Sequence, residues 1–296
     1  MDGIINVNKP SGYTSFSVVA HIKRLTGEKR VGHGGTLDPL ARGVLPLFLG
    51  QATRLIEYLQ EYPKTYLAGI VLGVATDTYD AEGRVVTVAD ASDITPQAVA
   101  EVLSSLQGTI TQVPPAYSAL KRDGRPLYAL ARQGLALQAE ARPVTIYRLE
   151  MVGFQPQMLM LDIECSKGTY IRSLAHDLGG KLGVGAHLAS LVRTSYGPFD
   201  IKDAVGLEQL MLAAQAGAVS AFLHPLDAVL TLWPAVTLTE AQEQAVRFGQ
   251  QLTMDARGEV RLRAYGLDGQ LLALLSLDSE TGAWQPSKVF NTPAAT

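Results

Sequence analysis

The apolar residues of this 296-residue chain fall in short, separate runs, and that interruption limits what it can fold into. Gly3-Ile4-Ile5-Asn6-Val7, Tyr66-Leu67-Ala68-Gly69-Ile70-Val71-Leu72 and Met158-Leu159-Met160-Leu161-Asp162-Ile163 read as strands bounded by Gly, Pro or Asn. Helical spacing fills the intervals. Ser15 to Leu25 has a capping residue, apolar positions at Phe16, Val19, Ala20 and Ile22, and a stop at Gly27; Thr95-Pro96 opens a helix that runs to Leu106 ahead of Gly108. Leu127 to Gln133 and Ile171 to Leu182 complete the set. Helices and strands are interspersed without a regular βαβ rhythm, which predicts an α+β fold on a mixed sheet rather than a doubly wound parallel one.

Packing alone must hold such a fold. Cys165 is the single cysteine, so no internal disulfide can form, and no Cys/His cluster has the spacing of a zinc site. A hydrophobic content of 47% suffices for a real core, and the free thiol fits a reducing cytoplasm. Met1-Asp2-Gly3-Ile4 lacks a basic leader ahead of an apolar core, and the longest apolar run, around Val44 to Leu49, is far below the roughly 18 residues that span a bilayer. Neither secretion nor membrane insertion is expected. Near His224-Pro225-Leu226-Asp227 an Ala-rich helical stretch gives way to short strands with turns at Ala256-Arg257-Gly258 and Asp268-Gly269. Residues 1–228 are therefore expected as one domain and 229–296 as a small β-rich module.

The net charge of −3 argues against a nucleic-acid partner until it is resolved along the chain. Residues 1–60 carry 7 Lys/Arg against 4 Asp/Glu, 61–110 carry 2 against 7, 111–200 carry 10 against 7, and 201–296 carry 6 against 10. Two basic segments separated by an acidic one are either one positive face for a phosphate backbone or two solvated surfaces. Residues 120–143 concentrate the effect, with Lys121, Arg122, Arg125, Arg132 and Arg142 against Asp123 and Glu140 around Tyr128 and a glycine turn. That composition suits an RNA-contacting arm or an ordinary amphipathic helix.

The densest local signal is Gly32-His33-Gly34-Gly35-Thr36-Leu37-Asp38-Pro39-Leu40-Ala41-Arg42-Gly43. Its glycines permit close backbone approach. Asp38, in apolar company and held extended by Pro39, is a turn residue or, if a cation keeps it ionised, a nucleophile. In Lys167-Gly168-Thr169-Tyr170-Ile171-Arg172, Gly168-Thr169 reads as the turn and cap of a helix, which sets Arg172 against the helix dipole unless it binds an anion. Arg172 is either a surface residue or the partner of a buried carboxylate. Thr76-Asp77-Thr78-Tyr79-Asp80-Ala81-Glu82-Gly83 gathers three carboxylates without EF-hand spacing and reads as a hairpin turn; taken alone, Asp77, Asp80 and Glu82 also leave a metal-dependent hydrolase open. No P-loop, complete G-x-G-x-x-G, G-x-S-x-G or His-Glu-x-x-His occurs, so nucleotide-dependent, serine-hydrolase and zincin chemistry lose support, and no cofactor or metal is expected.

Lys9-Pro10-Ser11-Gly12, Gly32-His33 through Leu37-Asp38-Pro39-Leu40-Ala41, Lys64-Thr65-Tyr66, Thr76-Asp77-Thr78, Pro114 through Tyr117-Ser118-Ala119-Leu120-Lys121, and Lys167-Gly168-Thr169-Tyr170-Ile171-Arg172 together resemble, in order and spacing, the TruB family of tRNA pseudouridine-55 synthases. The resemblance covers residues 1–200. It implies a pseudouridine synthase core around a mixed, largely antiparallel sheet, followed by a PUA-like module, and isomerisation of one T-arm uridine of tRNA. Asp38 would be the catalytic carboxylate, Arg172 its salt-bridge partner, and Tyr66 the ring stacked on the flipped uracil and a proton relay. Tyr170 and Leu191 would wall the pocket, and His33 would fill the space the base vacates. Lys9, Lys64, Lys121, Arg122, Arg125 and Arg193 are expected on the RNA side, with residues 120–143 as the arm over the RNA.

The chemistry agrees, since glycosidic isomerisation has no redox step and uses no group donor. The enzyme must extrude a stacked base at a cost of a few kcal/mol, which aromatic stacking at roughly 1 to 3 kcal/mol per base offsets. Two departures from the family pattern are Val192, where a second Arg is usual, and Arg42, where a small polar residue is common. A guide-RNA-dependent relative would be longer, with basic tails and a larger PUA domain; a non-catalytic tRNA chaperone would gain nothing from a carboxylate facing phosphates. A stand-alone cytoplasmic monomer is expected, with tRNA as its partner and no obligatory protein partner.

Overall fold

A computed structural model of the chain describes residues 1–118, 121–122, 124–126, 139–155, 157–255 and 258–290. The three expected strands are present as Gly3–Lys9, Lys64–Leu72 and Met158–Cys165. They belong to one ten-stranded sheet. Its path runs Val205–Gly206, Gly3–Lys9, Arg42–Leu49, Ala186–Tyr196, Lys64–Leu72, Met158–Cys165, Arg142–Gln155 and Gly108–Gln112, with Val31–His33 beside Arg42–Leu49 and Phe199–Asp200 beside Ala186–Tyr196. Two pairings are parallel, Gly3–Lys9 with Val205–Gly206 and Arg42–Leu49 with Ala186–Tyr196; the others are antiparallel. This is the mixed, largely antiparallel α+β arrangement that the irregular order of strand and helix predicts.

Burial follows from what covers each face. Met158–Cys165 alternates, with Leu159, Leu161, Ile163 and Cys165 buried, as a strand with one covered face should. Arg42–Leu49 is buried on both faces after its first residue: Leu45, Leu47 and Leu49 enter the main core, while Val44 and Phe48 enter a second cluster on the opposite side. That second cluster is completed by the C-terminal part of the chain. Ala235–Thr237, Arg261–Tyr265, Leu271–Leu277 and Trp284–Val289 form a four-stranded sheet, and its Leu271 and Leu274, with Phe290, pack with Ile4, Val44, Phe48 and Tyr196. Arg54 Nη1 donates to the Val289 carbonyl at 2.6 Å. The expected β-rich module is present, and its Leu271–Leu277 strand buries core surface against the large sheet, so its removal would strip one face of that sheet.

Helices Ser15–Thr26, Pro96–Ser105 and Ile171–Lys181 match three of the expected four; Leu127 to Gln133 lies outside the described residues. Details differ where tertiary contacts decide. Thr14, not Ser15, caps the first helix by accepting from Ser17 N–H, and Phe16, expected inward, is 78% exposed while Val18, Val19 and Ile22 are buried. Among the described residues no helix is long and apolar enough to cross a membrane.

Candidate active site

Residues 34–41 cross from the Val31–His33 strand to Arg42–Leu49 as a loop that is held from beneath at nearly every peptide. Tyr196 Oη donates to the Gly34 carbonyl at 3.1 Å, and Arg193 donates through Nη2 to the Gly35 carbonyl at 3.1 Å and through Nε to Val44 at 2.7 Å. Ser15 Oγ accepts the Leu37 N–H at 2.8 Å and donates to its carbonyl at 3.0 Å. Gly12 N–H reaches the Pro39 carbonyl at 2.8 Å, and Lys9 Nζ donates to Pro10, Tyr13 and Pro39 carbonyls. Two glycines sit at close approaches, and Gly43, against backbone, is required there. A β carbon on Gly34 would lie 2.4 Å from Leu59, and one on Gly43, which has φ +104°, would lie 2.3 Å from the Arg193 carbonyl.

This network corrects two expectations. Lys9 and Arg193, expected on the RNA side, are both 0% exposed, and a cation whose donors are bound to buried carbonyls is not on a surface that meets phosphates. They hold the loop. Burial lowers Lys9 to about 8, partly offset by Asp38.

The loop presents Asp38, and the start of the Ile171–Lys181 helix presents Arg172. Arg172 Nε lies 2.9 Å from Asp38 Oδ2, a charge contact without the alignment of a hydrogen bond. The arginine is 6% exposed and its remaining donors are committed: Nη2 to the Tyr117 carbonyl at 3.0 Å, Nη1 to the Thr78 carbonyl at 3.4 Å, and Nη1 to Asp80 Oδ2 at 3.5 Å. Asp38 keeps 39% of its side chain open to the cleft. Burial in the cleft raises its carboxyl above the usual carboxylate range, Arg172 opposes the rise, and Asp80 adds to it.

The sequence reading named Asp80 as a turn carboxylate but not as a partner of Arg172. The segment is a hairpin turn as expected, between Val74–Thr76 and Val85–Val88, but Asp80 points inward, 5% exposed, accepting from Thr78 Oγ1 at 2.6 Å and Glu82 N–H at 3.1 Å as well as facing Arg172. Three carboxylates are more than one exposed turn needs, and that excess was the available signal. The capping assignment also changes. Thr169 Oγ1 donates to the Ser166 carbonyl, Tyr170 is the N-cap without a side-chain cap, and its N–H is taken by Gln112.

Two cavities meet at the ion pair. One of about 290 Å³ is lined by Asp38, Tyr66, Tyr170, Leu191 and Lys64; the other, of about 490 Å³, by Phe16, His33, Asp38, Asp80 and Tyr117. Tyr66, opposite Arg193 in the sheet, is 7% exposed, and burial pushes its phenol up to about 12. Burial brings the Lys64 amine, 4.4 Å over the Tyr196 ring, down to about 8, with Arg193 adding to the fall. His33 is held below its usual value by burial and then by Arg193, and its Nδ1 is buried without a hydrogen bond. Arg142 sits 5.3 Å over the Tyr170 ring. Of the arm, Lys121–Arg122 pairs with Arg125–Pro126 around Gly124; residues 127–138 lie outside the described residues.

A model for the N-terminal domain of the TruB family pseudouridylate synthases matches residues 23–171, and one for the C-terminal domain of tRNA pseudouridylate synthase B matches residues 172–231. The chain is 45% identical over 291 residues to a tRNA pseudouridine synthase B of Dehalococcoides mccartyi, covering 98% of this chain and 97% of that one. It is 46% identical over 264 residues to the protein of that name from an Azoarcus species, covering 88% and 87%. Among solved structures, a chain of a Cbf5-Nop10-Gar1 complex superposes with a TM-score of 0.73 at 27% identity, covering 97% of this chain and 84% of that one.

Proposed function

Since the chain belongs to the TruB family of pseudouridylate synthases, we propose that its cleft isomerises the T-arm uridine at position 55 of tRNA to pseudouridine. The observation that carries the proposal is the Asp38–Arg172 pair at the junction of the two cavities, on a loop clamped from beneath. The reaction breaks the N1–C1′ bond, forms C5–C1′, removes a proton from C5 and returns one to N1. Atoms and electrons balance within the substrate, so the protein has to supply a nucleophile, a rigid pocket and a proton path.

Asp38 is the nucleophile. Arg172 keeps it ionised against the effect of burial and, being committed on its other side to Tyr117, Thr78 and Asp80, fixes its direction. The extruded uracil enters the smaller cavity between Tyr66, Tyr170 and Leu191, where stacking offsets the cost of unstacking. A phenol at about 12 keeps its proton at neutral pH, so Tyr66 serves as a wall and as a relay that passes one proton while receiving another, not as a standing base. His33, half-buried and favoured neutral, fills the vacated space. Lys64, Lys121, Arg122 and Arg125 meet the phosphates. The enzyme acts as a cytoplasmic monomer without an obligatory protein partner: every group named comes from one chain, and the Dehalococcoides relative matches it over nearly its full length.

The test is tritium release from tRNA carrying 5-tritiated uridine. Wild type should release it, and Asp38→Asn should bind tRNA within about tenfold, roughly 1.4 kcal/mol, without releasing it. Residual activity above a tenth of wild type removes Asp38 as nucleophile.

A further inference from the structure

We propose that Gln112 is a positioning residue of the isomerase, holding Tyr170 and, through it, Arg172. The inference rests on the isomerase reading above. Gln112 ends the Gly108–Gln112 edge strand and is 1% exposed. Both ends of its amide are used on one residue: Oε1 accepts the Tyr170 N–H at 2.8 Å and Nε2 donates to the Tyr170 carbonyl at 3.0 Å. A side-chain amide here imitates a neighbouring strand, pairing with both the N–H and the C=O of a single residue.

The location gives that pair its importance. Tyr170 is the N-cap of Ile171–Lys181, and no side chain of the helix's own segment caps it; no acidic residue stands in its first turn. Gly168 at φ +84° lies just before, and the local bonds of the turn, Thr169 Oγ1 to the Ser166 carbonyl and Leu174 N–H to the Tyr170 carbonyl, leave the Tyr170 N–H unheld. Gln112 holds it from another element, and residue 170 sets two functional groups at once. Its ring walls the cavity that contains Asp38 and Tyr66, and two residues on is Arg172, whose Nε meets Asp38. The neighbouring strand reinforces the hold. Arg142 is the register partner of Gln112, and its guanidinium lies 5.3 Å over the Tyr170 ring while Nη2 donates to the Gly168 carbonyl at 3.1 Å. Adjacent strands thus grip one residue, Gln112 by its backbone and Arg142 by its ring. Gln112 itself lines neither cavity, so it acts through Tyr170 and Arg172.

A bond that only stabilised the fold would behave like its neighbour, the buried Ser173 hydroxyl, which donates to the Val113 carbonyl at 2.7 Å and ties the same helix to the same segment without touching Tyr170. The experiment compares Gln112→Met, Ser173→Ala and wild type in single-turnover tritium release and tRNA binding, with thermal melts of each. Gln112→Met is expected to lose on the order of 10²-fold in turnover, the scale of a misplacement of about 1 Å, with the tRNA Kd within about threefold. Ser173→Ala is expected to melt lower and to keep turnover within about threefold. Should Gln112→Met fold poorly, Gln112→Glu retains the acceptor for the Tyr170 N–H and is expected to turn over faster than Gln112→Met if both can be assayed, and below a third of wild type in any case. Wild-type turnover in either Gln112 variant, or losses in Gln112→Met and Ser173→Ala that track their melting temperatures alike, overturns the proposal. A wild type that releases no tritium overturns the isomerase reading instead.

Discussion

The cations beneath the catalytic loop and Arg261 on the C-terminal sheet are both paired, yet they do different work. Lys9 and Arg193 are fully buried, and their donors end on carbonyls of the loop or of the segments that support it. Arg261 faces Glu61 at 3.7 Å and is 49% exposed, whereas Lys288, 18% exposed and donating to the Arg54 carbonyl as well as to Glu57, resembles the buried pair. A buried cation that satisfies carbonyls is expensive to remove because the carbonyls are left bare, whereas an exposed ion pair exchanges readily with water. Basic residues near this cleft are therefore not interchangeable: the buried ones fix geometry, and under the proposed function the RNA contacts fall to those open to solvent.

The largest test of that contrast is Arg172→Ala. It leaves Asp80 buried without its countercharge and Asp38 without its guide, and turnover should fall below roughly a hundredth of wild type; Arg172→Lys should be impaired less because it keeps a positive charge, yet still impaired, since an ammonium cannot face two carboxylates and two carbonyls in fixed geometry. Wild-type tritium release from Arg172→Ala would remove the ion pair from the mechanism. Next comes Arg193→Met. Two orphaned carbonyls predict a loss of about 2 to 4 kcal/mol in denaturant melts, with the salt dependence of tRNA binding unchanged, against less than about 1 kcal/mol for Arg261→Met. Equal losses from the two would erase the distinction.

Smaller again is the expected effect of neutralising Lys121, Arg122 and Arg125 together. Binding to tRNA should weaken about tenfold, the log–log salt slope should flatten by up to about three, and turnover at saturating tRNA should persist. An unchanged slope would place the RNA grip elsewhere. The least effect lies in pH. Because burial raises the Asp38 carboxyl, the active ionised form is lost on acidification at a pH above the ordinary carboxylate value near 3.9, and Arg172→Lys should move that acid limb higher still. An acid limb at or below the ordinary value would show that Arg172 outweighs burial.

Local pattern made the strands and helix ends legible, because alternation and caps act between residues close in sequence. Met158–Cys165 and the Thr95 cap are such cases. Phe16 was misplaced for the complementary reason: its apolar spacing is local, but which side of the helix is covered depends on the distant sheet. In the site, Asp38 and Arg172 stood out as misfits in their own segments. Lys9 and Arg193 looked like any basic residue, since only the parallel pairing of Arg42–Leu49 with Ala186–Tyr196 puts Arg193 under the loop. Gln112 gave no sequence signal at all; a glutamine at a strand end acquires meaning only from the turn it faces.

The Arg193–Val44 bond spans 149 residues of sequence, and Tyr196 reaches Gly34 across 162. During synthesis, Asp38 therefore emerges long before its clamp exists. Closing loops of that length is entropically slow, and domains of such topology fold late relative to their helices. The catalytic loop can take its working shape only after the chain has passed Tyr196 and the Ala186–Tyr196 strand has slipped between Arg42–Leu49 and Lys64–Leu72 at the centre of the sheet. Activity should thus appear as one of the last events in folding, in step with insertion of that central strand, and a stalled or shortened nascent chain carries Asp38 without the means to aim it.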